Sequence, residues 1–264
     1  MKPLAGRPAL LALVGALVVA RLAWHPGRAI CGQMTMAGCL GVAVLVVAAL
    51  GLATWIVRAS WLAISAAREI ARLPRLQPPD GLVVAAQRTG VDQVVCFDSA
   101  AAAAFCAGLL RPRVYVTSAM VASLADQELD AVLVHEAEHA HRRDPLRRLV
   151  GRAAADVLFW LPLVGWWSRR RLEDAELAAD RAAIRRVGRT PLARALRATA
   201  PPVAPAAGAG FDGAGPARVT QLLGDPPPRR RPPLAACLLS GLGLVLAVSL
   251  AMCVGQGLAS AILG

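Results

Sequence analysis

The sequence predicts a mainly α membrane protein that contains a small β-sheet, and three observations support this fold class. First, 56% of the 264 residues are hydrophobic and only 17% are charged, whereas soluble domains carry about 25% charged residues. Second, the apolar residues gather in long blocks that are flanked by arginines. Third, short β-type runs and one strongly helical motif lie between these blocks, which predicts a folded domain joined to transmembrane helices.

Two apolar blocks lie near the N-terminus. Residues 8–24 follow Lys2 and Arg7, and such a charged start also occurs in signal peptides. No small-residue cleavage site follows cleanly, so a first transmembrane helix is the favoured interpretation. Residues 34–57 contain no charged side chain, and as a helix they are long enough to span the roughly 30 Å hydrocarbon core of a bilayer.

The distribution of arginine predicts the orientation of these helices. The net charge is +12, and several arginines follow the second block at positions 58, 68, 72 and 75, whereas the loop before it offers mainly Arg28. Because cytoplasmic loops carry an excess of Lys and Arg, the N-terminus and the region after Arg58 are predicted to be cytoplasmic. The arginines also fit contact with anionic membrane lipid. A direct nucleic-acid partner is not expected, because the sequence contains no basic helix with residues suited to reading bases.

The pattern changes between residues 81 and 117. Three short β-type runs, residues 82–86, 94–97 and 114–117, predict a small sheet. A helix start follows at residues 123–126, and Glu128 and Asp130 suit the positive end of the helix dipole. The helix is predicted to run from Asp126 to Arg142 and to end before the pair Asp144-Pro145.

This predicted helix carries the motif HExxH at His135, Glu136 and His139. Positions i and i+4 share one helix face, so both imidazoles can bind one zinc ion. Glu136 then lies where its carboxylate can act as general base and acid on a zinc-bound water. The apolar residues before the motif predict that the helix is buried. The alternative is two histidines on an ordinary helix of a basic protein.

A third zinc ligand is predicted downstream at Glu176. Asp180 lies four residues later on the same predicted helix face, where it can accept the distal N–H of a zinc-bound histidine and fix its orientation. Glu173 is the alternative ligand. Each carboxylate also has a structural interpretation, as a solvated helix residue paired with Arg181 or Arg185.

The zinc hypothesis determines how the remaining apolar segments are interpreted. Because His135 and Glu176 must lie on the same side of the membrane, residues 153–167 are predicted to form a hairpin or an interfacial helix pair rather than one span. Residues 58–198 then form a cytosolic domain. The Pro/Gly/Arg-rich residues 199–233 are predicted to be a flexible linker, and residues 234–264 a C-terminal transmembrane helix whose end emerges outside.

Other polar residues near the motif receive smaller roles. His141 is predicted to be a surface residue, and Glu138 to be solvated or paired with Arg142. Asp144 could cap the end of this region or orient the site, and a structural role is favoured. No histidine follows His141, so a side chain that stabilises the tetrahedral oxyanion is expected to be an arginine after Glu176, at a position that the sequence does not specify.

Several motifs together resemble the BlaR/MecR antirepressor peptidases. The similar segments, in the same order and with approximately the same spacing, are residues 104–116, the HExxH motif, residues 142–145, residues 158–164 and the Glu176/Asp180 pair. The resemblance implies a gluzincin fold, cytosolic zinc peptidase activity and a role in regulated proteolysis of a protein or peptide substrate. A winged-helix repressor, or the enzyme itself, is a substrate by analogy only. The penicillin-binding sensor domain of some relatives is not expected here.

Two other functions remain open at this point. The heat-shock and CAAX-type membrane proteases also combine HExxH, a downstream Glu and membrane helices, and would indicate quality control or processing. The strand segment before the motif favours the antirepressor type. A non-catalytic membrane signalling scaffold with a vestigial zinc site is a third possibility, but the intact Glu136 favours an enzyme, because a structural site needs no base.

Overall fold

The computed structural model describes residues 36–198, 209–210, 215–226 and 231–263, so the predicted first span at residues 8–24 lies outside it. The helices of the described residues are α1 (Met36–Ala71), α2 (Asp80–Thr89), α3 (Ser118–Ser123), α4 (Asp126–His141), α5 (Asp144–Val157), α6 (Pro162–Val187), α7 (Arg189–Ala198), α8 (Pro216–Leu223) and α9 (Leu234–Leu263). The strands are β1 (Arg75–Leu76), β2 (Val94–Phe97), β3 (Ala104–Ala107), β4 (Arg113–Thr117) and β5 (Ala209–Gly210). The prediction of a mostly helical chain with a small sheet is confirmed.

The first of two compact units contains the apolar helices, and it comprises the described parts of Met1–Arg58, Val157–Pro162 and Leu234–Gly264. Among the described residues, Val44–Ala71 and Leu234–Cys253 are long and apolar enough to cross a membrane, with mean hydropathies of 1.8 and 2.3. Gly243 of α9 packs closely on the turn after α5, since a Cβ at this position would lie 3.0 Å from the carbonyl oxygen of Trp160.

The second unit comprises Ala59–Asp156 and the described part of Leu163–Pro233, and it contains the sheet. The strand order is β1-β2-β4-β3-β5. Strands β2 and β4 are parallel, and the other three pairs are antiparallel. The predicted strands at residues 94–97 and 114–117 are confirmed. Helix α4 packs against β3 and β4, and its apolar residues join those of the sheet in one buried core.

The predicted strand at residues 82–86 is wrong, because these residues belong to helix α2. Its buried residues Leu82, Ala85 and Thr89 recur at helical spacing and lie on one face. Asp80 lies in the first turn, and Gly90 ends the helix with a φ of 67°, a conformation that glycine adopts without steric penalty. The apolar composition suggested a strand, but the periodicity of burial is that of a helix.

Helix α4 begins and ends where the sequence indicates. The backbone N–H of Ala125 donates to the Glu128 carboxylate at 3.1 Å, which satisfies one amide at the helix start. Arg88 of α2 forms two 2.8 Å hydrogen bonds to Asp130, and this contact holds α2 against α4. At the other end, Arg143 adopts a left-handed φ of 55°, and α5 starts immediately at Asp144.

Two further segments concern the predicted domain organisation. Within residues 153–167, helix α5 ends at Val157 and α6 begins at Pro162, so a turn separates two helices.

The prediction of a flexible linker at residues 199–233 is wrong for Pro216–Leu223, which form helix α8. Gly215 and Pro216 start this helix, Gly224 ends it in a left-handed conformation, and Arg218 and Gln221 are buried. A helix of eight residues is too short to stand out from its Pro/Gly-rich surroundings.

Candidate metal centre

The two histidines of HExxH lie side by side on the buried face of α4. His135 and His139 are both fully buried, and their Nε2 atoms are 3.2 Å apart. The surrounding residues of α4, among them Ala131, Val132 and Leu133, are buried in the core. The helix geometry that brings i and i+4 onto one face therefore directs both imidazoles to one point.

Glu176 of α6 reaches the same point. Its Oε2 lies 3.5 Å from Nε2 of His135, and its Oε1 lies 3.5 Å from Nε2 of His139. One ligand atom from each of the three residues can be chosen so that all lie within 4.8 Å of one another. In a tetrahedral zinc site with bonds of about 2.0–2.1 Å, ligand atoms are roughly 3.4 Å apart. The three side chains thus have the chemistry and the spacing of a zinc-binding group.

Each histidine has a carboxylate partner on its other nitrogen. Nδ1 of His135 is 3.0 Å from Asp180 Oδ1, and Nδ1 of His139 is 2.9 Å from Asp144 Oδ2. An Nδ1–H that donates to a carboxylate leaves Nε2 as the free donor for a metal. The predicted contact of Asp180 is present. For Asp144 a structural role was favoured over orienting the site, but after the left-handed turn at Arg143 its carboxylate lies against His139.

Arg218 is the main residue of this centre that sequence analysis did not identify. Its Nε and Nη2 each donate to Asp180 at 2.7 Å, and its Nη1 lies 3.3 Å from Glu176 Oε2. The side chain is buried, and Gln221 on the same helix donates to the backbone oxygen of Leu177 at 3.1 Å. The arginine expected after Glu176 was one that stabilises the oxyanion, and that expectation stays a prediction. The observed partners of Arg218 are instead the carboxylates of Asp180 and Glu176.

Arg148 of α5 provides a second positive charge at the third ligand. Its Nη2 is 3.5 Å from Glu176 Oε1, and the side chain is mostly buried. Glu176 therefore lies between two guanidinium groups and two imidazoles. This environment favours its ionised form, which is the form that binds a metal.

Glu136 differs from the other acidic residues of the centre. It is fully buried, and its carboxylate oxygens have no hydrogen-bond partner among the described residues. Burial raises the pKa of Glu136 to about 7, although His139 and His135 act in the opposite direction. A carboxyl group with a pKa near neutrality can both accept and donate a proton.

The pKa values of the other two carboxylates change in the opposite direction. Burial alone would raise the pKa of Glu176, but hydrogen bonding to His135 and the charges of the histidines and Arg218 lower it to about 2. Burial likewise opposes ionisation of Asp180, but hydrogen bonds from His135 and Arg218 lower its pKa to about 2. At neutral pH both Glu176 and Asp180 are thus ionised, whereas the pKa of Glu136 lies close to the pH itself.

Three other side chains considered in the sequence analysis, Glu173, Glu138 and His141, are not among the three grouped ligands. Glu173 accepts a hydrogen bond from Arg170 at 3.2 Å and is not among the three grouped ligand atoms. Glu138 Oε1 is 3.9 Å from Arg142 Nη1, and His141 is exposed. Glu176, rather than Glu173, is therefore the carboxylate that meets the histidines.

Comparison with known proteins identifies the family. A family model described as BlaR1 peptidase M56 matches residues 29–195, which include all three grouped ligands and Glu136. No curated protein gives a significant match to the chain. The family match confirms the resemblance that the sequence motifs indicated, although α8 with Arg218 lies beyond the matched residues. The chain belongs to the BlaR1 peptidase M56 family, which indicates a membrane-associated, metal-dependent peptidase.

Proposed function

We propose that this protein is a zinc-dependent endopeptidase of the membrane that acts in regulated proteolysis, with its active site on the cytoplasmic side. The observation that carries the proposal is the convergence of His135, His139 and Glu176 next to a buried Glu136. A purely structural zinc site is closed by four ligands and needs no base, whereas a catalytic site keeps three protein ligands and an open position.

In the proposed mechanism, the side chains of the centre have different roles in peptide cleavage. His135, His139 and Glu176 would hold the ion. When bound, zinc lowers the pKa of a coordinated water to about 7 and polarises the carbonyl of the scissile peptide bond. Glu136 accepts the proton that the attacking water loses and then donates it to the nitrogen of the leaving amine. Asp180 and Asp144 keep the two imidazoles oriented throughout.

The proposed location follows from the apolar helices and the arginines that flank them. Arg58 and Arg68 lie in the C-terminal half of α1, and Arg72 and Arg75 follow it. In the sequence, residues 229–231 are three arginines that precede the α9 segment, and both clusters mark the cytoplasmic side by the positive-inside rule. The domain that holds the metal centre lies between these clusters in the chain. By analogy with the family, the substrate is a transcriptional repressor or the enzyme itself.

The proposal is tested with full-length protein in detergent or lipid, comparing Glu136→Gln with the wild type. The variant is expected to retain one zinc ion per chain, because Glu136 is not a ligand, and to lose peptide cleavage by at least about 100-fold. Glu138→Gln is a matched control on the same helix and should retain both properties. Wild-type protein without stoichiometric zinc, or full cleavage by Glu136→Gln, would refute the mechanism.

The biological role is tested by a proteomic comparison of cells that express the wild type or Glu136→Gln. A transcription factor that is cleaved only with the wild type would support the proposed role. Misfolded or prenylated membrane proteins as the only cleaved substrates would instead favour quality control or processing. Zinc binding without any cleavage in either cell line would indicate a non-catalytic scaffold.

A further inference from the structure

We infer that a basic cavity beside His139 binds a carboxylate of the peptide substrate, so that the enzyme selects acidic substrates. The inference rests on the proposed peptidase function and adds a substrate class to it. The cavity has a volume of about 420 Å³ and lies between α5 and α6. His139 forms part of its wall, so a group bound in the cavity lies next to the metal centre.

The charge of the cavity wall is predominantly positive. Four arginines line it, at positions 142, 147, 148 and 171, against two carboxylates, Asp144 and Asp174. Both carboxylates already have partners within the protein. Asp144 contacts His139 at 2.9 Å, and Asp174 lies 3.1 Å from Arg170. Three of the arginines also contact carboxylates: Arg142 lies 3.9 Å from Glu138, Arg147 lies 3.6 Å from Asp144, and Arg148 lies 3.5 Å from Glu176. The positive charge that an anionic ligand would meet is therefore mainly that of the fourth arginine, Arg171.

Arg171 is the arginine most suited to contact a ligand. Its guanidinium carbon lies 4.5 Å from the ring centroid of Trp167, and this cation–π contact holds the side chain at the wall. By contrast, Arg148 lies 3.5 Å from Glu176, and Arg147 lies 3.6 Å from Asp144. These two arginines stabilise groups of the metal centre, whereas Arg171 is exposed and oriented by an aromatic ring.

The shape and chemistry of the cavity fit a peptide side chain. Val150, Leu172 and Trp167 provide apolar surface, which can contact the methylene groups of a glutamate while its carboxylate meets a guanidinium. Anionic lipid head groups are also attracted to clustered arginines. We favour the peptide because His139, one of the three grouped ligands, forms part of the cavity wall, so the cavity adjoins the proposed active site.

A carboxylate can come from an acidic side chain or from the C-terminus of a peptide, and the test separates these sources. The binding of fluorescent peptides to full-length, zinc-loaded Glu136→Gln protein is measured by anisotropy, without turnover. Matched peptides carry Glu, Gln or Lys at guest positions, each with a free or an amidated C-terminus. The same peptides are then offered to enzyme with Glu136 intact.

The Glu peptides, or those with a free C-terminus, are expected to bind about tenfold more tightly than their neutral counterparts. Arg171→Ala should reduce this preference by about three- to tenfold and leave the binding of neutral peptides unchanged. Arg169→Ala is the matched control, since Arg169 is also an exposed arginine of α6 but does not line the cavity. Arg171→Gln, which removes the charge but keeps a polar side chain longer than that of alanine, replaces Arg171→Ala if the latter does not fold.

If Glu peptides still bind more tightly when the C-terminus is amidated, the cavity binds an acidic side chain. If tight binding requires a free C-terminus, the cavity binds the end of the peptide. Both results support the inference. Equal binding of all peptides would overturn it, as would an equal loss of binding for acidic and neutral peptides in Arg171→Ala. Flotation of wild-type and Arg171→Ala protein with anionic vesicles tests the lipid alternative. If Arg171→Ala changed only this flotation and not peptide binding, the cavity would be a lipid site and the inference would be overturned. If no peptide is cleaved, the proposed function fails, while the binding data still decide the inference.

Discussion

Arg218 and Asp180 form a bidentate ion pair of two 2.7 Å hydrogen bonds, although 38 positions separate them in the chain. Asp180 in turn contacts His135, and Arg218 also lies 3.3 Å from Glu176, so helix α8 is connected to the metal centre through two carboxylates. The segment that supplies Arg218 lies outside the residues matched by the family model. This relationship makes α8 part of the peptidase domain and leads to the first prediction.

Replacing Arg218 by Met should destabilise the protein by about 3–5 kcal/mol, because the charge of Asp180 would remain buried without its main partner. Zinc affinity should fall by about 10–100-fold, because His135 would be less firmly oriented. Arg218→Lys should restore only part of both, since an ammonium group cannot make the bidentate contact. Thermal unfolding and competition with a zinc chelator measure the two effects.

Arg185→Met is the control for this prediction, since Arg185 is an exposed arginine on α6. The double variant Arg218→Met/Asp180→Asn should be destabilised by less than the sum of the two single changes, because it removes both charges. Unfolding and zinc binding that are unchanged in Arg218→Met would show that α8 is not required by the metal centre.

Glu176 and Glu173 provide a matched pair for testing the third ligand. Removing the hydrogen-bond partner of a zinc ligand typically lowers zinc affinity by about 10–100-fold. Glu176→Gln should lower zinc affinity by more than this, because it removes the anionic ligand itself. Glu173→Gln should bind zinc normally, since Glu173 contacts Arg170 instead. Zinc content after dialysis distinguishes the two variants, and the reverse result would assign the ligand to Glu173.

Asp144 is predicted to orient His139, so Asp144→Asn should lower zinc affinity or peptide cleavage by about 10–100-fold. An amide can present its NH₂ group to Nδ1 and so favour the wrong tautomer of the histidine. Asp126→Asn is the control, because Asp126 is an exposed acidic residue in the first turn of α4 and does not line the cavity. Equal activity of both variants and the wild type would limit Asp144 to starting helix α5.

The orientation in the membrane is tested by a reporter placed after Arg75. This position follows α1 and its arginines, and we expect the reporter to be cytoplasmic. A second reporter fused after Gly264 should read as external, because α9 would return the chain across the membrane. An external signal at Arg75 would reverse the proposed orientation and place the metal centre outside the cell.

Sequence alone was sufficient for the features that depend on local geometry. The spacing of His135 and His139 determines that both imidazoles share one face of α4, and the four-residue spacing of Glu176 and Asp180 does the same on α6. The apolar composition of α1 and α9 and the start of α9 likewise follow from the chain itself, but α1 continues to Ala71, past the predicted end of the span at residue 57. Composition misled at residues 82–86, where valines suggested a strand, because the burial that favours a helix comes from α4 packing against it.

Only the tertiary structure decided which distant groups meet. Sequence analysis favoured a structural role for Asp144, but after the left-handed turn at Arg143 its carboxylate lies 2.9 Å from Nδ1 of His139. The docking of α8 places Arg218 against Asp180 and Glu176, a contact that the sequence did not predict. The physical reason is that helix periodicity constrains neighbours within about one or two turns, whereas contacts across 38 positions depend on how whole elements pack.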